Sequence, residues 1–158
     1  MSKQEYTFTV GDNVADWQAL DAFTQGYIMA LFHRACSCPS WYSLPGHVGF
    51  SDLSPASIKR IVRDCKAFQK RNAEALARVL YSKRFLEPNS PMQYTEACAG
   101  RDFFGSRNGL TYIGFLEAGL PFDPTRADDF SPPEVLDLAA IDAGQVTFSF
   151  TRGKVVVS

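Results

Sequence analysis

Any chemistry this chain performs must come from a few short stretches, and the densest is residues 99–115. There one acid, two arginines, an asparagine, four aromatic rings and four glycines share seventeen positions. Nucleophilic catalysis needs a nucleophile, a base and an orienting group within hydrogen-bond reach. The candidates are Cys36, Cys38, Cys98 or Ser106 with His33 or His47, and no nucleophile elbow or phosphate loop frames any of them. Metal-dependent hydrolysis needs clustered carboxylates, yet Glu96 is six residues from Asp102 and so on another helical face. Cys36-Ser37-Cys38 beside His33 is too tightly spaced for a structural zinc pair, and no second pair follows. No cofactor or metal is predicted. His33 reads as an interface histidine and His47 as a solvated one.

The stretch has a structural reading instead. Asp102 and Arg107 are five residues apart, too far for an ideal same-face pair, so either can serve orphan backbone groups where a helix ends. Asn108-Gly109 suits a helix C-cap, Phe103 and Phe115 are core rings, and Gly100 permits close packing against a second helix. On this reading Asp102, Phe103, Arg107, Asn108 and Gly109 are folding devices rather than reacting groups.

A binding surface is easier to find. Ser54-Pro55 opens a long helix with a hydroxyl N-cap and proline at the first position. Ile58, Ile61, Val62, Cys65, Phe68, Leu76, Val79 and Leu80 form its apolar stripe, to about Tyr81. Its other face carries Lys59, Arg60, Arg63, Lys66, Lys70, Arg71 and Arg78, continuing to Lys83 and Arg84, against Asp64 and Glu74 alone. Solvated faces usually mix signs, so this bias marks Lys59, Arg63, Lys66, Lys70 and Arg71 as candidate binding residues. Acids concentrate later: Glu117, Asp123, Asp128, Asp129, Glu134, Asp137 and Asp142 face one Arg126. Either the basic helix docks on this segment, or it lies open to phosphate or an acidic protein. Trp41 and Tyr42, in a Pro- and Gly-rich loop, add a second candidate patch, set against the plainer reading that they cap the core.

The remaining elements follow from pattern. Tyr6-Thr7-Phe8-Thr9-Val10 alternates like a short strand. One helix is predicted from Asn13 through Trp17, Phe23, Tyr27, Leu31 and Ala35, with Gly26 weakening it or admitting a close crossing. Another is predicted to begin near Pro91 or Met92 and end at Asn108-Gly109. Ser131-Pro132-Pro133-Glu134 opens a short fourth. Val146-Thr147-Phe148-Ser149-Phe150 and Lys154-Val155-Val156-Val157 form a hairpin about Thr151-Arg152-Gly153, with Val146, Phe148 and Phe150 predicted to cover the helices. The predicted fold is mainly α (α+β): three main helices plus a short fourth, and a C-terminal β-hairpin to which the N-terminal strand can add a third member.

With 158 residues, 46% apolar and 21% charged, one domain over residues 1–158 can bury a core without disulfides. A net charge of −1 argues against a dedicated nucleic-acid coat protein. No signal peptide and no apolar run long enough to span a bilayer is visible, so a cytoplasmic protein is expected. The four cysteines have irregular spacing, unlike a disulfide framework.

These segments, in this order, resemble a family of small, functionally uncharacterised proteins encoded mainly by bacteriophages and prophages. The resemblance runs from about Asp21 to Val157. It takes in Phe23-Thr24-Gln25-Gly26-Tyr27, the approach Phe50-Ser51-Asp52-Leu53-Ser54-Pro55, Asp64-Cys65-Lys66-Ala67-Phe68-Gln69, and the closing hairpin. Its most specific part is the motif A-G-H-D-F-W-x-x-R-N-G-H-G-x-G-F, matched by Ala99, Gly100, Asp102, Phe103, Arg107, Asn108, Gly109, Gly114 and Phe115. Both family histidines are replaced, by Arg101 and Leu110, and the tryptophan by Phe104, which removes histidine acid–base chemistry from the motif. The family's acidic, glycine-rich hairpin turn is here Thr151-Arg152-Gly153. The resemblance implies a phage setting, with the protein working in the host cytoplasm. Together with the charge segregation, it leads to an accessory protein that binds a host protein or complex and inhibits a defence system. A nucleic-acid-binding protein, using the basic helix with Tyr81 or Trp41 stacking on bases, is the alternative, and an enzyme the third. Oligomeric state is not readable from sequence.

Overall fold

A computed structural model describes residues 6–37, 44–81, 93–110, 113–118, 120 and 131–158. Six helices and one hairpin lie among them: α1 (Val14–Ala19), α2 (Ala22–Ser37), α3 (Pro55–Arg71), α4 (Ala73–Val79), α5 (Glu96–Arg107), α6 (Pro132–Ala143), β1 (Phe148–Thr151) and β2 (Lys154–Val157). The mainly helical fold with a C-terminal antiparallel hairpin agrees with expectation. No described helix is long and apolar enough to cross a membrane.

Two of the predicted helices are each divided. The first breaks at Leu20 and Asp21, because Asp21 is itself an N-cap: its Oδ1 accepts from Thr24 N at 2.7 Å. Burial pushes the Asp21 carboxyl up, but its bonds from Thr24 and Gln69 and the charge of Lys66 more than offset this and hold it below the usual range. The second breaks at Asn72, whose Nδ2 donates to the Phe68 carbonyl at 2.9 Å and whose backbone (φ −116°, ψ 23°) leaves the helical region. Ser54 caps α3 as predicted, its Oγ accepting from Ser57 N at 3.2 Å. Helix α5 starts later than the sequence suggests, behind the N-cap Thr95.

The hairpin register pairs Phe148 with Val157 and Phe150 with Val155, about Arg152 and Gly153, both at positive φ. β2, not β1, lies against α3: Val155 bridges Leu53, its carbonyl accepts from Ser54 N at 3.0 Å, and Val157 N donates to Ser57 Oγ at 2.9 Å. Phe150 therefore stays at the rim, 38% exposed, contrary to its predicted place over the helices, while Val146 and Phe148 are buried. Nor does residue stretch 6–10 join the sheet. It lies along α2 and the turn at Phe50, with Thr9 O accepting from Phe50 N and the Phe8 ring against Trp17 and Phe32.

Helices α2 and α5 make the most extensive contact in the fold, and two glycines set it. A methyl group on Gly26 would overlap the Ala97 carbonyl, and one on Gly100 the Phe23 carbonyl. Behind this crossing is a cluster of rings: Phe103 stacks on Phe68 at 4.1 Å, Phe68 on Phe115 at 5.8 Å, and Tyr27 meets Phe104 edge-on at 5.3 Å.

Candidate functional site

The motif of residues 99–115 occupies α5 and the turn after it. An α5 buried on nearly every face explains its composition: Ala99, Gly100 and Asp102 through Asn108 are all buried. Asp102 Oδ2 accepts from the Tyr94 hydroxyl at 2.7 Å, and Arg101 Nε stands 3.4 Å from Oδ1. Burial first, then the Asp102 carboxylate, push Tyr94 ionisation far above the usual phenol range. The pair fixes the approach to α5 onto its second turn.

Arg107, 4% exposed, is the most connected side chain of the motif. Its Nε donates to Gly144 O at 2.8 Å and its Nη2 to Ala143 O at 3.2 Å, satisfying carbonyls at the C-terminal end of α6. Its Nη1 donates to the Tyr27 hydroxyl at 3.1 Å and to Asp64 Oδ2 at 3.2 Å. The guanidinium also lies 5.0 Å from the Phe103 ring centroid. One side chain thus joins α2, α3, α5 and α6. Its role with orphan carbonyls follows the sequence reading, but the helix it serves is not its own.

Asn108 and Gly109 end α5 with paired capping bonds, Leu110 N to Gly105 O and Gly109 N to Ser106 O, with Gly109 at φ +66°. Asn108 adds a cross-link: Nδ2 donates to Phe104 O at 2.9 Å and Oδ1 accepts from Val146 N at 3.0 Å, tying α5 to the hairpin. Ser106 Oγ accepts from Phe115 N at 3.0 Å. The other nucleophile candidates are engaged as well. Cys36 Sγ donates to Pro45 O at 3.5 Å, and burial pushes its thiol up to about 11. Cys98 Sγ accepts from Thr95 Oγ1 at 3.3 Å. His47 and His33 are both exposed, with the His33 ring packed edge-on to the buried Tyr6 at 5.4 Å. Cys38 lies outside the described residues.

On α3 the structure separates what the sequence grouped together. Lys59, Arg63, Lys66, Lys70 and Arg71 are exposed. Arg60 is half-buried beside Asp64, which also meets Arg63 at 3.6 Å and Arg107 at 3.2 Å. Asp64 is thus a neighbour that the basic side of α3 supplies to itself. Trp41, Tyr42, Lys83, Arg84 and part of the acidic stretch, namely Asp123, Arg126, Asp128 and Asp129, lie outside the described residues. Two shallow depressions flank α3 and α4. One, about 370 Å³, lies against α5 and the end of α6, with Arg60, Arg71 and Arg107 in its wall. The other, about 430 Å³, runs between α4 and the start of α6, past Arg78 and Val135.

Two features were missed in the sequence. The half-buried place of Arg60 needs the neighbouring helix to be known. The other is an exposed apolar line on α6, Val135, Leu138 and Ile141, since three- and four-residue spacing does not say which face turns inward. Compared with protein-family models, curated proteins and solved structures, the chain matches none.

Proposed function

We propose that this is a phage-encoded accessory protein that binds a host protein or complex and thereby inhibits a host defence system. The phage setting rests on the resemblance of residues 99–115 and the segments around them. The binding reading rests on one observation: Asp102 and Arg107 of the motif are turned inward, while most of the charges of α3 are turned outward. Asp102 and Arg107 are buried and spent on Tyr94, Tyr27, Asp64 and α6. Lys59, Arg63, Lys66, Lys70 and Arg71 stand exposed along seventeen residues of helix. A rigid row of like charges favours an acidic partner surface, raising encounter rates and fixing orientation. The test is capture from nuclease-treated host lysate. A single stoichiometric protein is expected, lost when Lys66, Lys70 and Arg71 are reversed to Glu; capture unaffected by the reversal would sink the α3 reading.

A second reading is favoured by Tyr81. It is 56% exposed just after α4, its hydroxyl donating to Glu96 Oε1 at 3.0 Å and its ring open for a base to stack on. In that case the same triple reversal abolishes a salt-sensitive gel shift with single-stranded DNA or RNA, and no shift at low salt rules it out.

A further inference from the structure

The depression between α3, α5 and the end of α6 has features that the outer face of α3 lacks. Among the described residues, four arginines, Arg60, Arg63, Arg71 and Arg107, line it with a single carboxylate, Asp64. That carboxylate is divided among three of them, at 3.2 Å from Arg107, 3.6 Å from Arg63 and 3.9 Å from Arg60. The lining is therefore under-neutralised. Arg60 shows it most directly: its Nε is closed to solvent and makes no hydrogen bond, with Asp64 Oδ2 beyond bonding distance at 3.9 Å. A buried guanidinium N–H without an acceptor is costly, and a ligand oxygen is one way to supply the acceptor.

We propose that this cleft binds a phosphate group carried by a small ligand. Guanidinium groups present their donors in a planar fork that fits phosphate oxygens, and several in one wall favour a doubly charged anion over a carboxylate. The floor includes Phe68, Phe103 and Ala67, which exclude water from one side and strengthen the attraction. At about 370 Å³ the space lies at the lower end of small-ligand pockets, usually about 300–1,000 Å³. Arg107 acts here as a positioning residue: four of its N–H groups are already committed, and it holds Asp64 in place between the arginines. Arg60 and Arg71 are the recognition groups. The inference shares Arg63 and Arg71 with the host-partner reading but not Arg60, so Arg60→Gln is the variant that tells the two apart.

The same phosphate chemistry exists in free anions and in the backbone of nucleic acid, and the measurement separates the two. Isothermal titration at low ionic strength would use inorganic phosphate, pyrophosphate and a short oligothymidylate, on the whole chain. Pyrophosphate is expected to bind at one site per chain. Arg60→Gln should weaken it by about tenfold or more, the scale of one charge-assisted bond. Ala67→Leu, which fills the floor without changing charge, should abolish it, whereas Lys59→Gln, an equal charge change outside the cleft, should leave it unchanged. Thermal melts of each variant identify any that fail to fold; if Arg60→Gln does, Ala67→Leu against Lys59→Gln decides. Three results would overturn the proposal: no heat with phosphate or pyrophosphate, equal weakening by Lys59→Gln and Arg60→Gln, or binding of the oligonucleotide alone. Host capture should survive Arg60→Gln, so its loss elsewhere bears on the other reading only.

Discussion

Replacing Arg107 with Met keeps much of the side-chain volume and removes four hydrogen bonds at once. The Tyr27 hydroxyl, Asp64 and two carbonyls at the end of α6 lose their donor. Breaking a buried ion pair by deleting one partner typically costs about 3–5 kcal/mol. Asp64 retains 21% side-chain exposure and other arginines nearby, and Ala143 is exposed, so water recovers part of the loss. That places the expected cost near the lower bound, about 3 kcal/mol. In a domain of this size each 1 kcal/mol lowers the melting temperature by about 2–4 °C, giving a drop of about 6–12 °C. Urea unfolding followed by circular dichroism measures it directly. Arg107→Lys should fall between, because one ammonium cannot reach Gly144 and Asp64 together. A double-mutant cycle with Asp64→Asn should show coupling above about 0.5 kcal/mol. If Arg107→Met costs less than about 1 kcal/mol, Arg107 is not the joint described above, and a functional role for it gains ground.

Asp102→Asn should cost about 1–2 kcal/mol in chemical denaturation, since the amide oxygen still accepts from Tyr94 but without the charge; unchanged stability with a lost biological effect would make Asp102 a functional residue. Gly26→Ala and Gly100→Ala should each destabilise by about 1–3 kcal/mol despite alanine's higher helix propensity, because the methyl meets backbone of the facing helix; a gain in melting temperature would refute the close crossing. Tyr6, Tyr27 and Tyr94 all ionise above the usual range, burial being the main cause in each. Their folded pKa values exceed the unfolded ones, so stability is complete below about pH 10 and falls as pH rises past it, read as a declining urea midpoint. Asp21 has the opposite sign: its contribution is present above about pH 4 and is lost as pH falls through its lowered folded pKa, an acid effect that Asp21→Asn should blunt.

Local signals in the sequence were legible where the partner is a near neighbour. Ser54-Pro55, Asn108-Gly109 and the turn at Arg152-Gly153 each do what their residue types imply within a few positions. Asp21 and Asn72 were misread because their side chains serve backbone groups equally well from within a helix pattern or at its break, and apolar spacing continues across both. Long-range assignments were the least legible. Arg107 meets residues 36 to 80 positions away, and nothing in its own surroundings names Tyr27 or the end of α6. Of the candidate binding residues, the exposure of Lys59 through Arg71 on one helix followed from periodicity, while the inward turn of Arg60 depended on α5 and α6 lying beside it.

The glycine crossing of α2 and α5 has a consequence for motion. Most helix pairs are separated by a layer of side chains that can change rotamer and let one helix slide on the other. Here backbone meets backbone at Gly26 and again at Gly100, so a small translation drives carbonyl oxygen into main chain. The two helices behave as one stiff plate. The exposed charge of α3 and the exposed apolar line of α6 are carried outside this plate, on helices fastened to it through Arg107.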